Sequence, residues 1–155
     1  MPRVMTAAIA GAALALIAGP AAADADPEDV LGAWTFQTQP YRSGACSMSG
    51  TMHLSPAPEA GVYGCELTAV EECVGWGRSV VVQSCTARRF GNQVSVRSVI
   101  EQMLESKFDE DEHPGLGYVP DNFALTIQDP MRMYGALISA VSAPVEFRRS
   151  VEGVS

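Results

Sequence analysis

The side chains with the strongest claim to chemistry in this chain are four cysteines, two histidines and several clustered carboxylates. Cys46, Cys65, Cys73 and Cys85 contain no C-x-x-C pair, so their spacing fits neither a zinc knuckle nor a dithiol redox centre. The sequence has no G-x-S-x-G nucleophile elbow and no phosphate-binding G-x-x-x-x-G-K. His53 shares one side of an alternating segment with Ser49 and Thr51, and reads as a solvent-facing residue rather than a general base. His113 ends the acidic run Asp109-Glu110-Asp111-Glu112. Asp109, Asp111 and His113 stand at the alternate spacing of a calcium loop. Pro114, however, replaces the glycine needed at its sharp turn, and Pro120 replaces its closing glutamate. Glu71-Glu72 falls in an expected turn and reads as solvated, whereas a glycosidase needs two carboxylates facing each other across a cleft. The expectation is a non-enzymatic protein with neither metal nor cofactor.

The cysteines acquire a role once the compartment is considered. Arg3 precedes an apolar, Ala-rich run over residues 4–17, Gly19-Pro20 breaks it, and the small residues 21–25 follow. This is the layout of a secretory signal peptide with A-x-A cuts after Ala23 or Ala25, the second preferred. Residues 4–19 fall short of the roughly 20 apolar residues of a membrane span. The first cysteine, Cys46, is too distant for a lipoprotein anchor, and one arginine makes no twin-arginine signal. The expected product is residues 26–155, one periplasmic or secreted domain with no membrane insertion. There the four cysteines read as two disulfides. Removing residues 1–25 takes away Arg3 and Asp24, so the formal net charge of −8 stands. That balance disfavours nucleic acid and anionic lipid, which both require clustered cations.

From Gly32 onward the apolar residues alternate. Cys46, Met48, Gly50, Met52 and Leu54 fall on one side of a nine-residue segment, with Ser47, Ser49, Thr51 and His53 on the other. Such alternation is that of a strand with one face on a core. Similar segments begin at Trp34, Val62, Arg78, Val94, Phe123, Met131 and Val145, with turn residues between them. Eight strands with hairpin-length connections predict an all-β antiparallel meander, a sandwich or, preferably, a closed barrel without exposed edges. Residues 99–104 also admit a helical turn, and the acidic stretch 105–121 reads as a mobile loop. A hairpin centred near Gly75 sets Cys65 opposite Cys85. Cys46 begins its strand at the end where Cys73 enters the following turn. The expected bridges are therefore Cys65–Cys85 and Cys46–Cys73.

Gly32-Ala33-Trp34 at the start of the first strand, behind the acidic lead-in 27–31, resembles the G-x-W signature of the lipocalin and avidin superfamily. A similar opening occurs in small periplasmic inhibitors of bacterial alkaline metalloproteases. The resemblance implies a calycin-like barrel in which Trp34 closes one end beneath an arginine near the last strand, Arg148 or Arg149. Two functions come with it: a protein-binding barrel acting on a periplasmic or secreted protease, or a carrier of a small apolar ligand. The inward set Trp34, Phe36, Met48, Met52, Leu67, Phe123, Leu125, Met133 and Phe147 is large enough to fill an eight-stranded lumen. That favours a protein partner bound by loops, with Trp76 and Tyr118 as exposed aromatic anchors. Amino-terminal sequencing of the exported protein should start at Asp24 or Asp26, and thiol titration of that form should find no free sulfhydryl. A terminus at Met1 in exported material would remove the basis for the disulfide reading.

Overall fold

The computed structural model describes residues 30–106 and 117–151. The expected signal segment 1–25, and Asp109, Asp111 and His113, lie outside the described residues. The strands are β1 (Gly32–Thr38), β2 (Cys46–Pro56), β3 (Val62–Cys73), β4 (Gly77–Phe90), β5 (Gln93–Glu105), β6 (Asn122–Asp129), β7 (Arg132–Ile138) and β8 (Ser142–Arg149). Each pairs antiparallel with the next, and β1 pairs with β8, closing an eight-stranded meander barrel. Burial follows the sequence alternation: along β3, Tyr63, Cys65, Leu67, Ala69, Glu71 and Cys73 are all buried. All nine residues of the expected inward set are at most 3% exposed, so the middle of the lumen is filled.

Three phenylalanines form the plug. Phe36, Phe123 and Phe147 meet at centroid separations of 5.0–5.3 Å, one pair stacked and two edge-on, arrangements that aromatic quadrupoles favour. Room for Phe36 comes from Gly50, its register partner on β2. A Cβ at Gly50 would stand 2.0 Å from the Thr68 carbonyl oxygen and 2.6 Å from the Phe36 ring. The bare backbone there lets the ring pack against β2.

Both disulfides join residues directly opposite in register: Cys46 with Cys73 across β2–β3, and Cys65 with Cys85 across β3–β4. Their Cα separations of 4.1 and 4.6 Å are those of adjacent strands. Two disulfides are consistent with an oxidising, extracytoplasmic compartment.

Several boundaries differ from the sequence expectation. Residues 99–104 are strand, not a helical turn. Against β4 the register runs Gln83↔Ile100, Val82↔Gln102, Val81↔Met103 and Val80↔Glu105, so Glu101 and Leu104 are extra residues at bulges. Such insertions break the period of two and imitate a change of secondary structure in the sequence. The expected turn over 71–77 is shorter, because β3 runs on to Cys73 and β4 starts at Gly77. The expected mobile loop 105–121 is also too wide: Glu105 belongs to β5, and Asp121 is fully buried. Gly50→Ala should lower stability by about 1–3 kcal/mol through overpacking. The measurement is a lower urea midpoint at unchanged m-value, and an unchanged midpoint would contradict the packing described at this glycine.

Candidate functional site

The barrel has two unlike ends. At the end holding the start of β1, Gly32 adopts φ +104°, and the chain turns so that Trp34 is buried with its indole N–H donating to Val30 O at 3.0 Å. The Arg149 guanidinium lies 4.4 Å over the Trp34 ring. It also donates to Pro130 O at 2.8 Å and to Leu31 O. Of the two arginines expected near this tryptophan, the structure therefore brings up Arg149. Arg148 points outward and pairs with Glu146 at 3.1 Å. This end is shut by a cation–π contact and backbone hydrogen bonds.

Among the described residues, the opposite end is an open mouth with a polar lining. Tyr41 follows β1 and pairs its backbone with Cys46, at 2.9 and 3.1 Å in the two directions. That tight loop holds Arg42 and Ser43 at φ 51° and 58°, a left-handed conformation uncommon for residues other than glycine. Tyr41 is buried, and its hydroxyl donates to Glu71 Oε1 at 2.6 Å. Glu71 itself is only 7% exposed. The sequence expectation of a solvated turn residue is corrected here, because β3 continues past Val70 and carries Glu71 inward in phase with Leu67 and Ala69.

Across the lumen, Gln83 on β4 grips Asp121 at two points. Its Nε2 donates to Asp121 Oδ2 at 2.7 Å, and the Asp121 amide donates to Gln83 Oε1 at 2.9 Å. The Tyr118 hydroxyl gives Oδ2 a second donor at 2.7 Å. Ser98 on β5 donates to the Asp121 carbonyl at 2.6 Å, and its own amide donates to Asn122 Oδ1 at 2.9 Å. Tyr118 is thus partly buried against the core and committed to a carboxylate, not an exposed anchor. Trp76, by contrast, is 60% exposed on the β3–β4 turn, with the Arg42 guanidinium 5.9 Å over its ring. His53 is exposed on β2 opposite Glu66.

Between these groups lies a pocket of about 310 Å³ lined by Arg42, Met48, Glu71, Tyr118, Asp121 and Ser139, among others. Burial pushes the Asp121 carboxyl above its ordinary 3.8, and the nearby Glu71 charge acts in the same direction. Hydrogen bonds from Tyr118 and Gln83, and the nearby Ser139 hydroxyl, work against that rise. The two phenols are raised as well, chiefly by burial, with Glu71 adding to Tyr41 and Asp121 to Tyr118. Both therefore remain hydrogen-bond donors at physiological pH. One carboxylate oxygen, Asp121 Oδ1, is buried with no hydrogen-bond partner among the described residues. Cys46, Glu71 and Cys73 also converge here, but both thiols are tied up in the disulfide and leave no thiolate for a metal.

Sequence reasoning missed Tyr41, Glu71, Gln83, Ser98 and Asp121. Four of them carried a signal, since each is a polar residue in the apolar phase of its segment. Glu71 is in phase with Leu67, Gln83 with Val81, Ser98 with Val96, and Asp121 with Phe123.

No family model and no curated protein matches this sequence. Among solved structures, the chain is similar to a redesigned β-barrel, with a TM-score of 0.53 and 13% identity over 80% of this chain and 94% of that one. It is likewise similar to a de novo designed fluorescence-activating β-barrel, with a TM-score of 0.54 and 14% identity over 80% and 96%. A third is EF1p2_mFAP2b bound to DFHBI, with a TM-score of 0.52 and 13% identity over 79% and 95%. At such identities the likeness establishes the fold alone.

The buried Asp121 gives a signed pH prediction. A carboxyl raised in the folded state stabilises fully below its unfolded value and loses that contribution as pH rises through the folded one. Asp121→Asn keeps an acceptor for Gln83 and Tyr118 but does not ionise. Relative to this variant, the native protein should lose stability steadily as pH rises from about 4. Parallel denaturation curves across pH would show otherwise.

Proposed function

We propose that this protein is an exported, non-enzymatic barrel that binds a small molecule in its mouth, above the phenylalanine plug. The observation that carries this reading is the pocket of about 310 Å³ between Tyr118, Asp121, Glu71 and Met48. Its size lies at the lower bound for small organic ligands, and it combines apolar walls with a few convergent polar groups. Below it the lumen is blocked, so the ligand is held at the rim rather than swallowed, as a carrier with a deep interior would hold it. Support also comes from the like-folded EF1p2_mFAP2b, which is bound to DFHBI. The buried Trp34 beneath Arg149 is the arrangement that the G-x-W resemblance implies for a calycin-like barrel. The disulfides and the expected signal segment together support a periplasmic or secreted location.

A second reading rests on a separate observation. The β3–β4 turn presents Val74 at 83% and Trp76 at 60% exposure, and an exposed aromatic on a turn suits contact with a protein partner. An inhibitor of a protease, as the resemblance implies, would act through the segment before β1. Residues 26–29 lie outside the described residues.

Ligand-observed NMR on the disulfide-bonded protein, followed by methyl shifts of Met48, Ala140 and Val141, tests the first reading. Bound compounds should move those methyls and lose about tenfold or more in affinity when the rim is filled by Ala140→Trp. Thr51→Trp, on the outer wall, should leave affinity unchanged. Compounds that bind without moving the mouth methyls would transfer the function elsewhere.

A further inference from the structure

A buried polar atom without a partner is rare enough in folded proteins to demand a cause. Asp121 Oδ1 is such an atom, on a residue that is fully buried yet lines the mouth pocket. The donors around it are committed to other acceptors. Gln83 Nε2 and the Tyr118 hydroxyl both serve Oδ2, and the Ser98 hydroxyl serves the Asp121 carbonyl. Tyr41 serves Glu71, and the Ser139 hydroxyl, close to the carboxylate, donates to Val119 O at 3.1 Å. The deep wall of the pocket therefore presents acceptors to an incoming molecule, with Asp121 close enough to Glu71 to feel its negative charge. We propose that the pocket selects a small amine in its ammonium form, with an N–H donated to Asp121 Oδ1. This assignment rests on the ligand-binding reading above and names the ligand class of that site.

Three features shape the ligand further. An N–H from a cation to a buried carboxylate is among the stronger hydrogen bonds available, and here it answers the buried side-chain acceptor left unmet among the described residues. Arg42 lines the rim, is exposed, and leans over Trp76. Its charge disfavours a cation at the entrance, so the ammonium belongs at the deep end. Met48, Val119 and Val141 give the remaining wall an apolar character suited to a short hydrocarbon or a single ring.

The test uses the disulfide-bonded protein and three probes of matched shape: 2-phenylethylamine, 2-phenylethanol and phenylacetate. Affinities come from calorimetry, and the site is located by the Ala140 and Val141 methyl shifts. The amine should bind at the mouth and exceed the alcohol by roughly ten- to a hundredfold. Asp121→Asn should erase that advantage while leaving alcohol binding in place, because the amide turns a donor toward the amine. Thermal unfolding confirms that this variant is folded. Should it fail to fold, Glu71→Gln is the second variant, and it should reduce the amine's advantage over the alcohol. If amine and alcohol bind the mouth equally, or phenylacetate binds best, the site holds a ligand of another class and the amine assignment is overturned alone. If no probe moves the mouth methyls, and a broad fragment set does not either, the ligand-binding reading falls with it.

Discussion

Closure of β1 onto β8 is the constraint from which the rest of this molecule follows. An eight-stranded barrel encloses a lumen just wide enough for side chains, and pleating sends every second residue into it. No strand can then choose its inward residues independently of the other seven. Where three rings converge, a neighbour must surrender its side chain, as Gly50 does for Phe36. Where a strand carries one residue too many, the excess is expelled as a bulge, as on β5 at Glu101 and Leu104.

The same constraint divides the lumen along its axis. Towards the Trp34 end the inward residues are apolar, and Arg149 seals the tryptophan with its guanidinium and its hydrogen bonds to backbone carbonyls. Towards the mouth, Glu71, Ser79, Gln83, Ser98 and Asp121 are inward and buried instead. Burying carboxylates is unfavourable unless donors meet them. The two tyrosines and Gln83 do so, which ties the β1–β2 loop and the chain before β6 to the central strands. The polar layer is thus a structural clasp that also leaves one acceptor of a pocket-lining residue unmet among the described residues.

The disulfides occupy complementary positions. Cys46–Cys73 fixes the β2–β3 pair at the mouth, directly beside Glu71, and Cys65–Cys85 fixes β3 to β4 nearer the middle. Each crosses between neighbours already paired by the ladder, so they hold the register of β2, β3 and β4 and with it the inward phase of Glu71 and Gln83. A slip of one residue would turn both side chains outward.

Much of this was legible in the sequence because it is local. Alternation around Met48, Leu67 and Phe147 gave the strands and their core faces, and hairpin arithmetic about Gly75 set Cys65 opposite Cys85. The spacing of glycine and tryptophan marked the start of the first strand. What the sequence could not settle depends on distant partners. Whether Arg148 or Arg149 reaches Trp34 is decided by the β1–β8 register, and how far β3 and β5 extend is decided by β4 lying between them. Tyr41, Glu71, Gln83 and Asp121 come from four separated stretches of chain, and only closure brings them to one mouth. Periodicity along a chain reports which side of a strand a residue occupies; which residues share a layer of the lumen is a property of the ring of strands.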